Sequence, residues 1–196
     1  MKKIGSIEVV CGPMFAGKTE ELIRRIKRLQ YAKKNVLVFS PSIDNRYATD
    51  AIVSHDMQKV KAYQISNPID ILKYIKDDID AVVIDETQFF DNKIITIVDY
   101  LADQGIRVII GGLDLDFRGE PFGPMPYLLA KAEQVTKLTA ICPISGEPAT
   151  RTQRIIDGNP ANYNDSTVLI GAKESYEPRT RFLHQVPGKK SIKDIK

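Results

Sequence analysis

The sequence predicts an α/β protein in which helices flank a parallel sheet, followed by a small β-rich lobe. Two observations support this fold class. A G-x-x-x-x-G-K-T motif at 12–19 stands between an apolar run at 7–11 and a segment with helical spacing. Further apolar runs alternate with helical segments as far as about residue 139. Strands and helices that alternate in this way build a parallel sheet covered on both faces, and ligands bind beyond the carboxyl ends of its strands.

Apolar runs and helical spacing predict the elements of the core in chain order. The strand at 7–11 is followed by an amphipathic helix whose buried face is Leu22, Ile26 and Leu29. The basic stretch at 24–34 is interpreted as the solvated face of this helix. Strands are predicted at 35–40, 60–65, 81–85 and 106–112, and helices at 67–77 and 94–104, the last ended by Gly105.

The character of the sequence changes near residue 139. A turn-rich segment at 141–148 is followed by short stretches at 151–156 and 167–170 that predict strands. No further strand–helix unit fits this region. The sequence therefore predicts an α/β core at 1–139, a small β-rich lobe at 140–187 and a frayed tail at 188–196.

Composition narrows the class of protein. The chain has 196 residues, of which 43% are hydrophobic and 27% charged, as in an ordinary soluble globular protein. No apolar run approaches the length of a membrane span, and no apolar signal core follows Met1, so we expect a cytoplasmic protein without a membrane partner. Two cysteines cannot form a disulfide framework. A net charge of +3 is too small to indicate a nucleic-acid partner.

The motif at 12–19 predicts a phosphate-binding loop. Its glycines let backbone N–H groups approach phosphate oxygens, and the N-terminus of the following helix adds partial positive charge. Lys18 is expected to reach the β- and γ-phosphates of ATP, and the Thr19 hydroxyl to ligate Mg²⁺. The predicted ATP contacts of this loop are Gly12, Pro13, Met14, Phe15, Ala16, Gly17, Lys18 and Thr19.

A second group of predicted site residues follows the apolar run at 81–84. Asp85 is expected to hold Mg²⁺, directly or through water. Glu86 is the candidate general base, which would take a proton from a nucleophile that approaches the γ-phosphate. Thr87 and Gln88, next in the chain, are assigned to the same ATP and Mg²⁺ site.

The acidic pair leaves the nucleophile open, since water would make the protein an ATPase or GTPase and a substrate hydroxyl would make it a kinase. The guanine-reading N-K-x-D motif is absent, because Ile95 stands where its Asp is required. An ATPase motor and a non-catalytic nucleotide sensor are the further alternatives. Aromatic side chains after two of the strands indicate a slot for a flat ring, with at least one of them filling the core. They are Phe89, Phe90, Phe117 and Phe122.

A series of motifs, in the same order, resembles the type II thymidine kinases, a cytosolic family with a RecA-like core. Besides the phosphate loop, the motifs are Asp44 to Tyr47, Asp85 to Phe90, Gly112 to Gly119, Lys137 to Ala140, Arg151 to Arg154 and Gly171 to Tyr176. They cover nearly the whole chain apart from its tail. The resemblance implies transfer of the ATP γ-phosphate to the 5′-hydroxyl of thymidine, a salvage step in DNA precursor synthesis.

The resemblance also implies catalytic roles. Glu86 would take the proton of the 5′-hydroxyl, while Lys18 and Thr19 keep their phosphate and Mg²⁺ roles. Arg46 would come near the reacting phosphates, with Asp44 beside it. The family further suggests a homotetramer and feedback binding of dTTP, the triphosphate end product.

The nucleoside pocket is likewise implied by the resemblance. A lasso at 168–176 would close over the base and read the thymine edge with its backbone groups, while Tyr176 would contact the sugar. Thr152 matches a position near the thymine methyl group. The implied pocket residues are Met14, Asp44, Gln88, Phe89, Leu113, Phe117, Phe122, Thr152, Val168, Leu169, Ile170, Gly171 and Tyr176.

One departure from the family pattern concerns a structural zinc. Many members bind it with two C-x-x-C-like pairs, whose positions are held here by Cys142, Ser145, Thr180 and Leu183. His184 lies one residue beyond the last position. A tetrahedral zinc site needs four good donors, so we expect this protein to lack the zinc and to close its lobe by packing.

Overall fold

The computed structural model describes residues 4–42, 51–53, 59–167 and 174–190. The strands of the α/β core are β1 (Ser6–Cys11), β2 (Val36–Pro41), β3 (Ala51–Val53), β4 (Lys59–Lys61), β5 (Tyr63–Ile65), β6 (Ala81–Ile84), β7 (Arg107–Gly112) and β8 (Gln134–Lys137). Among these described strands, six form a central sheet in the order β5-β2-β6-β7-β1-β8, and all neighbouring strands in it are parallel. The predicted parallel α/β architecture is confirmed.

Helices cover both faces of this sheet. Helix α1 (Lys18–Tyr31) packs on one face, and α2 (Lys93–Asp103) packs on the other, which α3 (Met125–Lys131) also covers. Adjacent strand residues such as Val9 and Val10 belong to opposite core clusters, because successive side chains of a strand point to opposite faces. Burial on both faces explains why these strands are continuous apolar runs. Within the described residues, no helix is long and apolar enough to cross a membrane.

The predicted strand at 60–65 is two elements in the structure. Strand β4 pairs antiparallel with β3 outside the central sheet, whereas β5 joins the sheet beside β2. The buried Ala62 separates them and packs in the core cluster of α1. A side chain buried where the chain changes sheets extends the apolar pattern, so sequence alone could not place the break.

The predicted helix at 67–77 is also corrected, because the structure has a shorter 3₁₀ helix, Pro68–Tyr74. The Asn67 side chain caps its start by accepting a hydrogen bond from the Ile69 N–H at 3.2 Å. Ile75 is already extended, with ψ of 126°. The other predicted core strands, and the helix at 94–104, lie within one residue of the observed ends.

Helix α3 and strand β8 were not predicted from the sequence. Helix α3 is short and carries a proline in its first turn. Strand β8 lies at the sheet edge, where three of its four side chains are exposed, so no apolar run reveals it.

The basic stretch of α1 contains a buried arginine, so its interpretation as a wholly solvated face was wrong. Arg25 is 7% exposed and donates hydrogen bonds to Glu8 at 2.6 Å and Glu21 at 2.8 Å. Arg107 donates to the other oxygen of Glu8 at 2.6 Å. Burying these charges is tolerated because each carboxylate and each guanidinium is paired. The pKa of Glu21 falls to about 2, chiefly through the hydrogen bond from Arg24.

The described residues of the small lobe form two antiparallel sheets. One joins β9 (Ala140–Ile141) to β10 (Pro148–Ala149). The other contains β11 (Arg151–Ile156), β12 (Asn159–Pro160) and β13 (Glu174–Arg179) in the order β12-β11-β13. The strand predicted at 151–156 is confirmed. The one predicted at 167–170 lies outside the described residues, except Thr167, which is in no strand.

Candidate functional site

The phosphate-loop motif forms a tight turn between β1 and α1. Gly12 has φ of 145°, and a Cβ there would lie 2.4 Å from the Leu138 carbonyl oxygen, so only glycine fits. Gly17 has φ of 77° and stands at the N-cap of α1. Lys18 is 8% exposed, and its Nζ donates a hydrogen bond to the Pro13 carbonyl at 2.8 Å. The loop therefore curls around its lysine at a helix N-terminus, the arrangement that suits a bound phosphate.

Asp85 directly follows β6 and reaches the first turn of α1. It is 3% exposed, and its Oδ2 accepts a hydrogen bond from the Thr19 hydroxyl at 3.2 Å. Gly111 leaves it room, because a Cβ there would lie 2.9 Å from Asp85 Oδ1. Burial, and next the charge of Glu86, raise the pKa of Asp85 to about 7. Two hard oxygen donors at this distance fit Mg²⁺, which binds few protein oxygens and otherwise water and phosphate.

Glu86 adopts an uncommon backbone conformation, with φ of 48° and ψ of 38°. Left-handed conformations of non-glycine residues are often found at functional sites. Its half-buried side chain accepts a hydrogen bond from Gln88 Nε2 at 2.5 Å. Gln88 Oε1 in turn accepts from the Leu113 N–H at 3.0 Å. Gln88, 2% exposed, thus uses both ends of its amide within the protein and holds the Glu86 carboxylate in place.

Thr87, assigned with these residues, is fully buried, and its hydroxyl donates to the Ile84 carbonyl at 3.1 Å. This bond ties the turn that carries Glu86 back to β6. In the structure, therefore, the Thr87 hydroxyl donates its hydrogen bond within the protein.

The four phenylalanines occupy different environments. The half-buried Phe89 and Phe122 rings meet edge to face at 5.5 Å. Phe90 belongs to the main core cluster, so it is the packing member that the sequence predicted among them. Phe117 is 5% exposed and lies under two guanidinium groups, Arg118 at 4.6 Å and Arg154 at 5.3 Å. Leu113, at the end of β7, is 9% exposed.

Arg118 and Arg154 form a network that sequence reasoning missed. Arg118 donates to the backbone carbonyls of Tyr163 at 2.6 Å and Asp165 at 2.5 Å. Arg154 is fully buried and forms an ion pair with Glu174 at 2.7 Å. The only signal was their place in the quoted motifs 112–119 and 151–154, because paired arginines in the interior leave no apolar pattern.

The lobe meets the phosphate loop at Thr152. This residue lies on β11, is 4% exposed, and accepts a hydrogen bond from the Met14 N–H at 3.1 Å. Tyr176, on β13, pairs in register with Arg154. The remaining predicted site residues lie outside the described part of the chain: Asp44, Arg46, Val168, Leu169, Ile170 and Gly171.

The positions of the family's zinc ligands do not assemble four donors. Burial raises the pKa of the Cys142 thiol, but hydrogen bonds from the Ser145 side chain and from the backbone of Thr180, Ser145 and Ile144 outweigh it, so the pKa falls from 9.0 to about 7. His184 instead bonds through Nε2 to the Phe117 carbonyl oxygen at 2.8 Å. Across the described ranges, no group of three or more His, Cys, Asp or Glu could hold a metal ion. A thiol, two hydroxyls and a leucine do not fit structural zinc.

The chain was compared with models of known protein families. The model described as thymidine kinase matches residues 5–184. The match spans the phosphate loop, the acidic pair, the aromatic residues and the lobe.

Proposed function

This chain belongs to the thymidine kinase family, and we propose that Glu86 is the base with which it phosphorylates the 5′-hydroxyl of thymidine. The family match supports thymidine phosphorylation, and it makes the protein an ATP-dependent kinase, a transferase. The observation that carries the proposal for the site is the convergence of Thr19, Asp85 and Glu86 at one edge of the sheet. The Thr19 hydroxyl and the Asp85 carboxylate are 3.2 Å apart, and Glu86 follows directly.

ATP would bind with its phosphates in the loop at 12–19. Backbone N–H groups and the start of α1 face the phosphates there, and Lys18 contributes a full positive charge. Thr19 and Asp85 would hold Mg²⁺, whose charge helps to stabilise the transferred phosphoryl group. Arg46 and Asp44 are proposed near the same phosphates on the family resemblance alone.

Transfer needs a base beside the acceptor hydroxyl. The carboxylate of Glu86 takes the 5′-hydroxyl proton as the bond from O5′ to the γ-phosphorus forms and the bond to the ADP oxygen breaks. Gln88 holds the carboxylate, while Leu113 holds Gln88 through a backbone hydrogen bond. The base is thereby connected to the end of β7, where we place the nucleoside pocket.

The nucleoside would lie against the aromatic side chains. Phe89 and Phe122 are half-buried and meet edge to face, so part of their ring surface faces outward to receive a flat base. Phe117 and Leu113 are buried and follow β7 in the chain, and they would form the inner wall. The other members of the pocket rest on the resemblance: Met14, Thr152, Tyr176 and the residues at 168–171.

The proposal includes further properties of the protein. The family resemblance supports a homotetramer, feedback binding of dTTP and a cytoplasmic location. The donor chemistry at Cys142, Ser145, Thr180 and Leu183 supports a lobe that folds without zinc.

One assay tests the function. The purified protein is incubated with ATP, Mg²⁺ and each common nucleoside, and both nucleoside monophosphate and ADP are quantified. We expect thymidine monophosphate and ADP in equal amounts, with little ADP when nucleoside is omitted. The variant Lys18→Ala is the matched negative control, because it removes the charge aimed at the phosphates. Release of ADP without nucleoside, at the same rate as with thymidine, would instead indicate an ATPase.

A further inference from the structure

A side-chain hydrogen bond joins the phosphate loop to the lobe. The Met14 N–H donates to the Thr152 hydroxyl at 3.1 Å, although the two residues are 138 positions apart. Thr152 is 4% exposed and Met14 is half-buried, so the bond joins a buried hydroxyl to a partly exposed loop residue. An N–H that is withdrawn from water without a partner is costly, and the hydroxyl is a partner for this amide.

Apolar packing joins the same two parts of the molecule. Ala16, two residues after Met14, packs against the lobe cluster of Ala140, Cys142 and Ala149. The next residue after Met14, Phe15, has φ of 65°, a conformation that L-residues rarely adopt. Contacts from the lobe to the residues on either side of Phe15, Met14 and Ala16, therefore help to hold this part of the loop in its shape.

We propose that the Thr152 hydroxyl is a positioning group for ATP, because it holds the Met14 backbone and thereby the shape of the phosphate loop. This role is separate from the place near the thymine methyl group that the resemblance implies for Thr152. It rests on the proposed binding of ATP by residues 12–19. One residue would then serve both substrates, through its hydroxyl on one side and its methyl group on the other.

Two substitutions separate the two groups of this side chain. Thr152→Val keeps the branched shape and the methyl group but cannot accept the Met14 hydrogen bond. Thr152→Ser keeps the hydroxyl and removes the methyl group. The dissociation constant of a fluorescent ATP analogue with Mg²⁺ is measured without nucleoside, and the KM for thymidine is measured separately. Thermal unfolding of both variants reports any general loss of stability.

Each variant should impair a different substrate. Thr152→Val should weaken ATP binding by about 2- to 10-fold, the range expected for one lost hydrogen bond. Thr152→Ser should bind ATP within about twofold of wild type, while its KM for thymidine rises by about fourfold, as expected for the burial of one methyl group. If Thr152→Val does not fold, amide exchange at Met14 is followed instead in the wild type and in Thr152→Ser, and protection in both is expected.

Three results would overturn the inference. They are unchanged ATP binding in Thr152→Val, equal weakening of ATP binding in both variants, and rapid exchange of the Met14 amide in the wild type. Failure of the wild type itself to bind the ATP analogue would contradict the proposed ATP site, which is a different outcome from these three.

Discussion

The substitution Glu86→Gln tests the central catalytic assignment with little structural disturbance. Gln88 is held by the Leu113 N–H at 3.0 Å, so its Nε2 must continue to face residue 86. A glutamine there can accept the same hydrogen bond through its amide oxygen, and it has nearly the shape of glutamate. The variant therefore loses the ability to accept a proton but keeps the local geometry.

The charge change also bears on Asp85, the proposed Mg²⁺ ligand. After burial, the charge of Glu86 is the next largest cause that raises the pKa of Asp85 to about 7. Its removal lowers the pKa of Asp85 and favours the ionised carboxylate, the form that binds a cation. Binding of ATP with Mg²⁺ should consequently be maintained in the variant, while the rate of transfer falls by about 10²–10⁴-fold, the usual contribution of a general base.

Single-turnover rapid quench with labelled ATP measures the transfer step, and a binding titration measures ATP affinity. Glu147→Gln is the matched control, because Glu147 is an exposed lobe residue outside the site and its variant should match wild type. A single-turnover rate for Glu86→Gln within a few-fold of wild type would refute the role of Glu86 as the base. A large loss of ATP affinity would show that the residue acts in binding.

Three further predictions concern stability. Burial raises the pKa of Asp85 from 3.8 to about 7, so its contribution to stability is present below about pH 4 and is lost as the pH rises to 7. Asp85→Asn should therefore stabilise the metal-free protein at pH 8 by about 2–4 kcal/mol, since one pKa unit corresponds to about 1.4 kcal/mol. Chemical denaturation in the presence of a chelator measures this difference. Arg154→Met should destabilise the protein by about 3–5 kcal/mol, because it removes the buried guanidinium that forms an ion pair with the Glu174 carboxylate, which is 6% exposed. A chelator should leave the melting temperature and thymidine turnover unchanged, since the zinc positions offer one thiol.

Each of these predictions has a result that contradicts it. Equal stability of Asp85→Asn and wild type at pH 8 would show that burial does not disfavour the ionised form of Asp85. For Arg154→Met, adding Glu174→Gln should recover part of the loss, and a double variant no more stable than the single one would count against the ion pair. About one zinc per chain by atomic absorption, lost together with stability on chelation, would show that the lobe binds zinc through other donors.

Local sequence was sufficient where the geometry depends on a few neighbouring residues. The conformations of the phosphate loop require glycine at Gly12 and Gly17, whose φ values are 145° and 77°, so the motif and its shape are inseparable. Strands buried on both faces must be continuous apolar runs, which explains why β2, β6 and β7 were predicted within one residue of their ends.

Prediction failed where a residue's environment depends on distant parts of the chain. Arg25 belongs to a basic stretch, yet Glu8 and Thr136 make its burial possible. Gln88 was predicted to lie in the ATP and Mg²⁺ site and in the nucleoside pocket. No sequence pattern indicated that its side-chain amide would form hydrogen bonds with both Glu86 and Leu113. The polar edge strand β8 was missed because its place is set by pairing with β1.

The sequence by itself determined the parallel α/β class, the phosphate loop, the acidic pair and the family, because these reside in short runs whose spacing reflects backbone geometry and solvent exclusion. Only the tertiary structure decided which polar groups meet. The hydrogen bonds of Thr19 with Asp85 and of Met14 with Thr152 join residues 66 and 138 positions apart. Such pairs form because a buried polar group must find a partner, and the folded chain, not the local sequence, determines which partner is within reach.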